Sequence, residues 1–283
     1  MATMQMGGMR WWYIGILSLS CLSLLWSQPL PFREWMPVYD TVYVLGDIYL
    51  EVSLIEQKLW VHRRNAPPIM MPISSGTSSI PEGMETPTGI FTIQNKARLA
   101  ISRQFDSTRM YWWMGFSGNF GIHALDGYGY YRYLGKKPSS HGCIRIARED
   151  GEKLYDWVSP GTPIIIYILP PARILAFADS TFDTTAAFRL TERSWQLEQY
   201  LEERLCRLYA GEYLLAHFPP LFLDGTTVLR HAGFDTGDFY RIPLRQKLPW
   251  YSITPPPVLS LPPPYPKQPI APISIDDTVI ADK

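Results

Sequence analysis

Cys143 stands in the run Ser139-Ser140-His141-Gly142-Cys143-Ile144-Arg145, and a second histidine, His123, lies about twenty residues upstream in Gly121-Ile122-His123. A free thiol titrates near ~8.5 and is mostly protonated at neutral pH, so a working sulfur nucleophile needs an imidazole or another positive influence beside it. Two imidazoles are candidates. His141 is two residues from Cys143, and in an extended segment such residues share a face. His123 belongs to a separate segment, and Asp126-Gly127-Tyr128-Gly129 and Leu134-Gly135-Lys136-Lys137-Pro138 are loop-forming stretches that let the chain fold back to bring it opposite the cysteine. Gly142 leaves the backbone unobstructed, and the amides around Cys143 are candidate donors to an oxyanion.

The elements that must position these groups read as strands. From Val42 to Ile93 short apolar runs are broken by Gly, Pro and Ser. Ile48, Leu50, Val52 and Leu54 alternate, which predicts a strand with one wet face, and Lys58 to His62 continue as its partner. His62 precedes Arg63 and Arg64 and reads as a solvated histidine at a hairpin tip. Pro72 to Pro87 form a loop rich in Ser, Gly and Pro that either frames a groove or merely connects. Tyr111, Trp112 and Trp113 serve equally as core or as a wall of the site, and the tyrosines from Tyr128 to Tyr133 supply material for a lid that shields a thioester from water. Ala147 to Val158 has helical apolar spacing at Leu154, Trp157 and Val158. Leu190, Leu197, Leu201, Leu205 and Leu208 mark an amphipathic helix running from Glu192 to Leu208 and stopping near Gly211.

These residues resemble the signature of the L,D-transpeptidase catalytic domain, the YkuD-like family of bacterial cell-wall enzymes: a histidine, a gap, then Ser/Thr-His-Gly-Cys and Asn or Arg two further on. His123, Ser140-His141-Gly142-Cys143 and Arg145 satisfy it. Ile48 to Val61 resembles the family's opening hairpin, Glu85-Thr86-Pro87-Thr88-Gly89-Ile90-Phe91 its Thr-Pro-x-Gly-x-Phe strand opening, Met110 to Phe116 the segment that walls the site with Trp113 in it, and Gly161 to Ile166 the closing strand. Ala124 follows His123 where members often carry Gly or Ser, and the resemblance implies that its backbone carbonyl orients the imidazole. The implied fold is mainly β, a curved sandwich-like catalytic domain with short helices. The implied site is Cys143 as nucleophile and His123 as base, with His141 tuning the thiolate, Gly142 in the oxyanion hole, Ser140 supporting the turn and Arg145 holding a substrate carboxylate. No metal and no organic cofactor is required.

Composition bounds the rest. The chain has 283 residues, 46% of them hydrophobic, with no formal net charge, so nothing asks for nucleic acid as a partner. Cys21, Cys143 and Cys206 do not make a disulfide framework; Cys143 reads as a free thiol and Cys206 as a small buried hydrophobe in a helix. Arg10 followed by the apolar run Trp11 to Trp26 fits an export signal or a short membrane anchor. Ser18-Leu19-Ser20 ahead of Cys21 only loosely resembles a lipoprotein processing site. The expected division is 1–30 signal or anchor, 42–168 catalytic domain, 172–248 helical extension and 249–283 proline-rich extended tail.

The expected activity is transfer of a peptidoglycan stem peptide through a thioester to an amine, in the cell envelope. Hydrolysis of the same thioester, and a silent wall-binding module, are the alternatives. A zinc site made of His123, His141 and Cys143 lacks a fourth ligand, and His217 and His231 stand apart from acids and cysteines.

Overall fold

The computed structural model describes residues 38–104, 107–191, 194–230 and 233–247. The N-terminal apolar run, His231 and the proline-rich tail lie outside them. Two sheets make up the architecture. Strands β1 (Asp40–Val44), β2 (Ile48–Ser53), β3 (Lys58–Arg63), β4 (Ala66–Ser74), β5 (Gly89–Thr92), β6 (Asn95–Ile101), β7 (Arg109–Ser117), β8 (Phe120–Leu125) and β9 (Ile144–Ile146) come first. Helix α1 (Arg148–Trp157), strands β10 (Pro163–Tyr167), β11 (Arg173–Phe177) and β12 (Phe188–Arg189), helix α2 (Trp195–Tyr209) and strand β13 (Leu221–Leu223) follow. The larger sheet has nine strands in the order β5-β10-β2-β3-β4-β9-β8-β7-β6, and the smaller has four in the order β11-β1-β13-β12.

The larger sheet curls because one face of nearly every strand meets in a single core. Leu50 and Val52, Leu59 and Val61, Met71 and Ile73, Met114 and Phe116, Ile122, Ile144 and Ile146, and Ile164 and Ile166 converge there, closed by Leu154 and Val158 of the α1 segment. Each such side chain contributes roughly 1.5–3 kcal/mol by leaving water. The predicted hairpin is β2–β3, paired from Ile48 opposite Arg63 to Ser53 opposite Lys58.

The wet face expected for β2 is instead covered. Tyr49, Ile90, Ile165 and Tyr167 join Val42, Val44, Leu175, Leu197, Leu201, Leu221 and Leu223 in a second core between the larger sheet and the C-terminal region. Glu51, on that covered side, accepts from Tyr167 Oη at 2.6 Å and pairs with His62 Nε2 at 2.7 Å. His62 is therefore a partly buried strand residue stacked on Tyr49, at 4.4 Å between ring centroids, and not a solvated tip.

The C-terminal region carries the helix read from its leucines, with Ser194 as N-cap accepting from the Leu197 amide at 3.2 Å. It also carries three strands that the leucine spacing did not reveal. Two of them, β11 and β13, pair in parallel with β1 and the third, β12, with β13, so the boundary expected at residue 42 falls inside a strand of the smaller sheet. Asp40 on β1 is fully buried and binds Arg173 at 2.7 Å, Arg204 at 2.7 Å and Tyr213 Oη at 2.7 Å, which ties β1, β11 and α2 together. Cys206 on α2 is exposed, contrary to the buried role expected of it. Among the described residues no helix is long and apolar enough to cross a membrane.

Candidate active site

Strands β8 and β9 run parallel, with Ile122 opposite Ile144 and His123 opposite Arg145. Since Ile122, Ile144 and Ile146 turn into the core, alternation sends Gly121, His123 and Arg145 to the opposite face. Cys143 precedes Ile144, and its Sγ lies 3.6 Å from the Asn119 carbonyl, beside Gly121. Cys143 thus stands at the entry to β9, diagonal to His123 on β8, a separation that side chains can bridge.

His123 is 4% exposed, and its Nδ1 lies 3.1 Å from the Ala124 carbonyl. A carbonyl can only accept, so Nδ1 carries the proton and Nε2 keeps its lone pair. Burial, with Arg145 adding to it and the Ala124 carbonyl opposing it, pushes the His123 pKa down to about 4. Burial also pushes the Cys143 thiol up, against the opposing pull of the Gly121 amide and Arg145. At neutral pH the resting pair is a neutral thiol and a neutral imidazole.

The loop before Cys143 is held at several points. Ser140 Oγ accepts the Gly142 amide at 3.2 Å and donates to the Cys143 carbonyl. Thr86 Oγ1 donates to the Gly142 carbonyl at 2.7 Å and accepts the Gly76 amide at 2.8 Å. Gln57 accepts from the Ser75 amide at 2.8 Å, and the Ser75 carbonyl in turn accepts from Ser139 at 2.9 Å and Ser140 at 3.0 Å. Gly142 has φ +130°, and a Cβ on it would come within 2.6 Å of the Phe120 ring. Only glycine fits there.

Three expectations change. The Gly142 amide, assigned to an oxyanion hole, is taken by Ser140 Oγ. His141 does not share a face with Cys143 through an extended run, because the φ of Gly142 breaks that run; its ring bonds the Pro81 carbonyl near Glu82. Burial, with Arg145 adding to it, keeps the His141 pKa low against those two groups. The tyrosine turn is a strut and not a lid: Tyr130 Oη donates to the Ile146 carbonyl at 2.8 Å, and Tyr131 Oη donates to Glu149 at 2.8 Å while accepting the Arg148 amide at 2.7 Å.

Arg145 donates through one guanidinium nitrogen to the Ser139 carbonyl at 2.9 Å. Among the described residues it has no carboxylate partner, which leaves a cation at the site for an anionic group to meet. Trp113 lies against His123, ring centroids 5.9 Å apart, whereas Trp112 turns toward Tyr155. Among the described residues no group of three His, Cys, Asp or Glu stands at metal-binding distance.

Sequence reasoning gave no role to Thr86, Gln57 or Asn95. Thr86 was visible only as part of a strand opening. Gln57 works through a turn with φ +54°, which composition does not announce.

A curled, mainly β domain carrying a histidine on one strand and a cysteine at the entry to the next is the class that fold and site define. Residues 47–166 match the family model of the L,D-transpeptidase catalytic domain. Solved structures similar to this chain include an L,D-transpeptidase from Mycobacterium smegmatis at 20% identity, covering 43% of this chain and 58% of that one, with a TM-score of 0.38. One from Mycobacterium tuberculosis has 23% identity, 43% and 57% coverage and a TM-score of 0.38. One from Stackebrandtia nassauensis has 20% identity, 54% and 67% coverage and a TM-score of 0.37. The chain thus spans less than two-thirds of the length of the mycobacterial structures it matches. No curated protein matches it.

Proposed function

We propose that this chain is an exported L,D-transpeptidase that acylates Cys143 with a peptidoglycan stem peptide and passes the acyl group to an amine. The observation that supports the reading is the place of Cys143 at the entry to β9, diagonal to His123 on β8, with His123 Nδ1 committed to the Ala124 carbonyl so that Nε2 is free to act as base.

Because the resting pair is neutral, the proton moves during attack. His123 Nε2 takes the thiol proton as the sulfur adds to the donor carbonyl, and the electron pair of that C=O collects on oxygen. The Cys143 amide meets the oxyanion, and the Gly142 amide joins only by leaving Ser140 Oγ; such a donor is typically worth about 3 kcal/mol. The tetrahedral adduct collapses, the C–N bond breaks, and imidazolium returns the proton to the departing D-amino acid. The product is a thioester. An incoming amine attacks it, His123 takes the amine proton, and collapse expels the thiolate, which recovers that proton. Arg145 pairs with a carboxylate of the stem. Export is supported by the basic-then-apolar N-terminal run from Arg10 to Trp26.

Exchange of the terminal D-amino acid of a tetrapeptide stem, followed by mass spectrometry, tests this. Wild-type protein forms the exchanged product and Cys143→Ala forms none. Exchange retained in Cys143→Ala overturns the nucleophile assignment, and a shortened stem formed equally with and without added amine makes the enzyme a hydrolase.

A further inference from the structure

Strand β7 does not pair evenly with β8. Tyr111 stands opposite Ala124 and Met114 opposite Ile122, so Trp112 and Trp113 together face His123. Two residues against one is a β-bulge, and bulges re-aim side chains. Trp112 sits at φ +56°, uncommon for a bulky residue. The bulge sends Trp112 toward Tyr155 on α1 and turns the Trp113 indole across the sheet to His123.

The indole rests on glycine at both ends. A Cβ on Gly121 would lie 2.6 Å from its outer ring, and a Cβ on Gly115 would lie 3.1 Å from its Nε1 and 2.8 Å from Asn95 Oδ1. Its N–H donates to Asn95 Oδ1 at 2.7 Å. Asn95 opens β6 directly opposite Gly115, so its amide is placed by the ladder.

We propose that Asn95 is a positioning residue for His123: by anchoring the Trp113 indole it keeps the imidazole dry and its Nδ1 on the Ala124 carbonyl. Released from Asn95, the indole swings off Gly121 and water reaches the imidazole. The ring then gains freedom to turn Nε2 away from the sulfur. Among the described residues the charge acting on His123 is Arg145, its partner across the β8–β9 ladder, and the titratable Cys143 stands two residues before that partner. Neither belongs to β6 or β7, so changing Asn95 leaves both in place. The proposal rests on His123 being the base of the reading above.

The test is a double-mutant cycle of Asn95→Ala and Trp113→Phe, read by NMR titration of His123 and by D-amino-acid exchange. Asn95→Ala raises the His123 pKa toward the ordinary ~6.5. It also slows exchange about fivefold, the order set by one hydrogen bond. Trp113→Phe removes the same bond, so adding Asn95→Ala to it changes nothing further and the double variant resembles Trp113→Phe alone. Asn95 is exposed, so its variant folds even if Trp113→Phe does not. A His123 titration unmoved by Asn95→Ala, or additive effects, overturns the proposal. A wild-type protein with no exchange activity counts against the function alone, because the NMR titration reads the imidazole directly.

Discussion

Thr86→Val separates support of the Cys143 loop from its chemistry. Thr86 is 2% exposed, and its hydroxyl joins two backbone groups that have come together from distant parts of the chain, the Gly76 amide at 2.8 Å and the Gly142 carbonyl at 2.7 Å. Valine keeps the shape and deletes both bonds. A buried backbone group left unsatisfied costs about 1–3 kcal/mol, so two of them destabilise the chain by roughly 2–6 kcal/mol. In a domain of this size that lowers the thermal midpoint by roughly 4–24 °C. Water cannot easily repair the loss, because a Cβ on Gly76 would already lie within 2.4 Å of Gly142 Cα and the two backbones leave no room between them. Calorimetry reads the midpoint, and D-amino-acid exchange reads the loop. Exchange falls more than stability explains, since Gly142 adjoins the sulfur, and Thr86→Ser restores both. A Thr86→Val protein with an unchanged midpoint and wild-type exchange refutes the bracing role.

Three further outcomes follow from the buried titratable groups. With the Cys143 thiol raised by burial and the His123 pKa lowered to about 4, alkylation of Cys143 by iodoacetamide in a Cys206→Ser background climbs steadily through neutral pH and levels off only above the ordinary thiol range; a plateau between pH ~5 and ~8 would reveal a resting ion pair and disprove the neutral one. Asp40→Ala leaves Arg173 and Arg204 buried without their partner and costs about 3–5 kcal/mol, measured by urea unfolding. Burial alone would raise the Asp40 pKa, but attraction to Arg173 and Arg204, with hydrogen bonds from Arg204 and Tyr213, outweighs it and holds the carboxyl low. Its stabilisation is therefore full above the unfolded value near ~3.9 and is lost as pH falls below it, so Asp40→Asn flattens the acid limb of the stability profile.

Local spacing carried a large part of this. Alternation along Ile48 to Leu54 and the partner run from Lys58 named the β2–β3 hairpin, because side-chain period is a property of a single strand. Leucine spacing named α2 for the same reason, and the His-Gly-Cys run with an upstream histidine named the residues to watch. Two short strands of the smaller sheet were not legible, since β12 has two residues and β13 three, too few to show a period.

The sequence by itself determined which residues have the chemistry: a thiol, two imidazoles, a guanidinium and a glycine beside the cysteine. The tertiary structure alone decided how they are arranged. Parallel pairing of β8 with β9 brings His123 to the face of the sulfur, while the backbone turn at Gly142 sends His141 to Pro81 although it is nearer in sequence. Protonation was likewise decided by folding, because the cost of a buried charge depends on what surrounds the group and not on its neighbours along the chain.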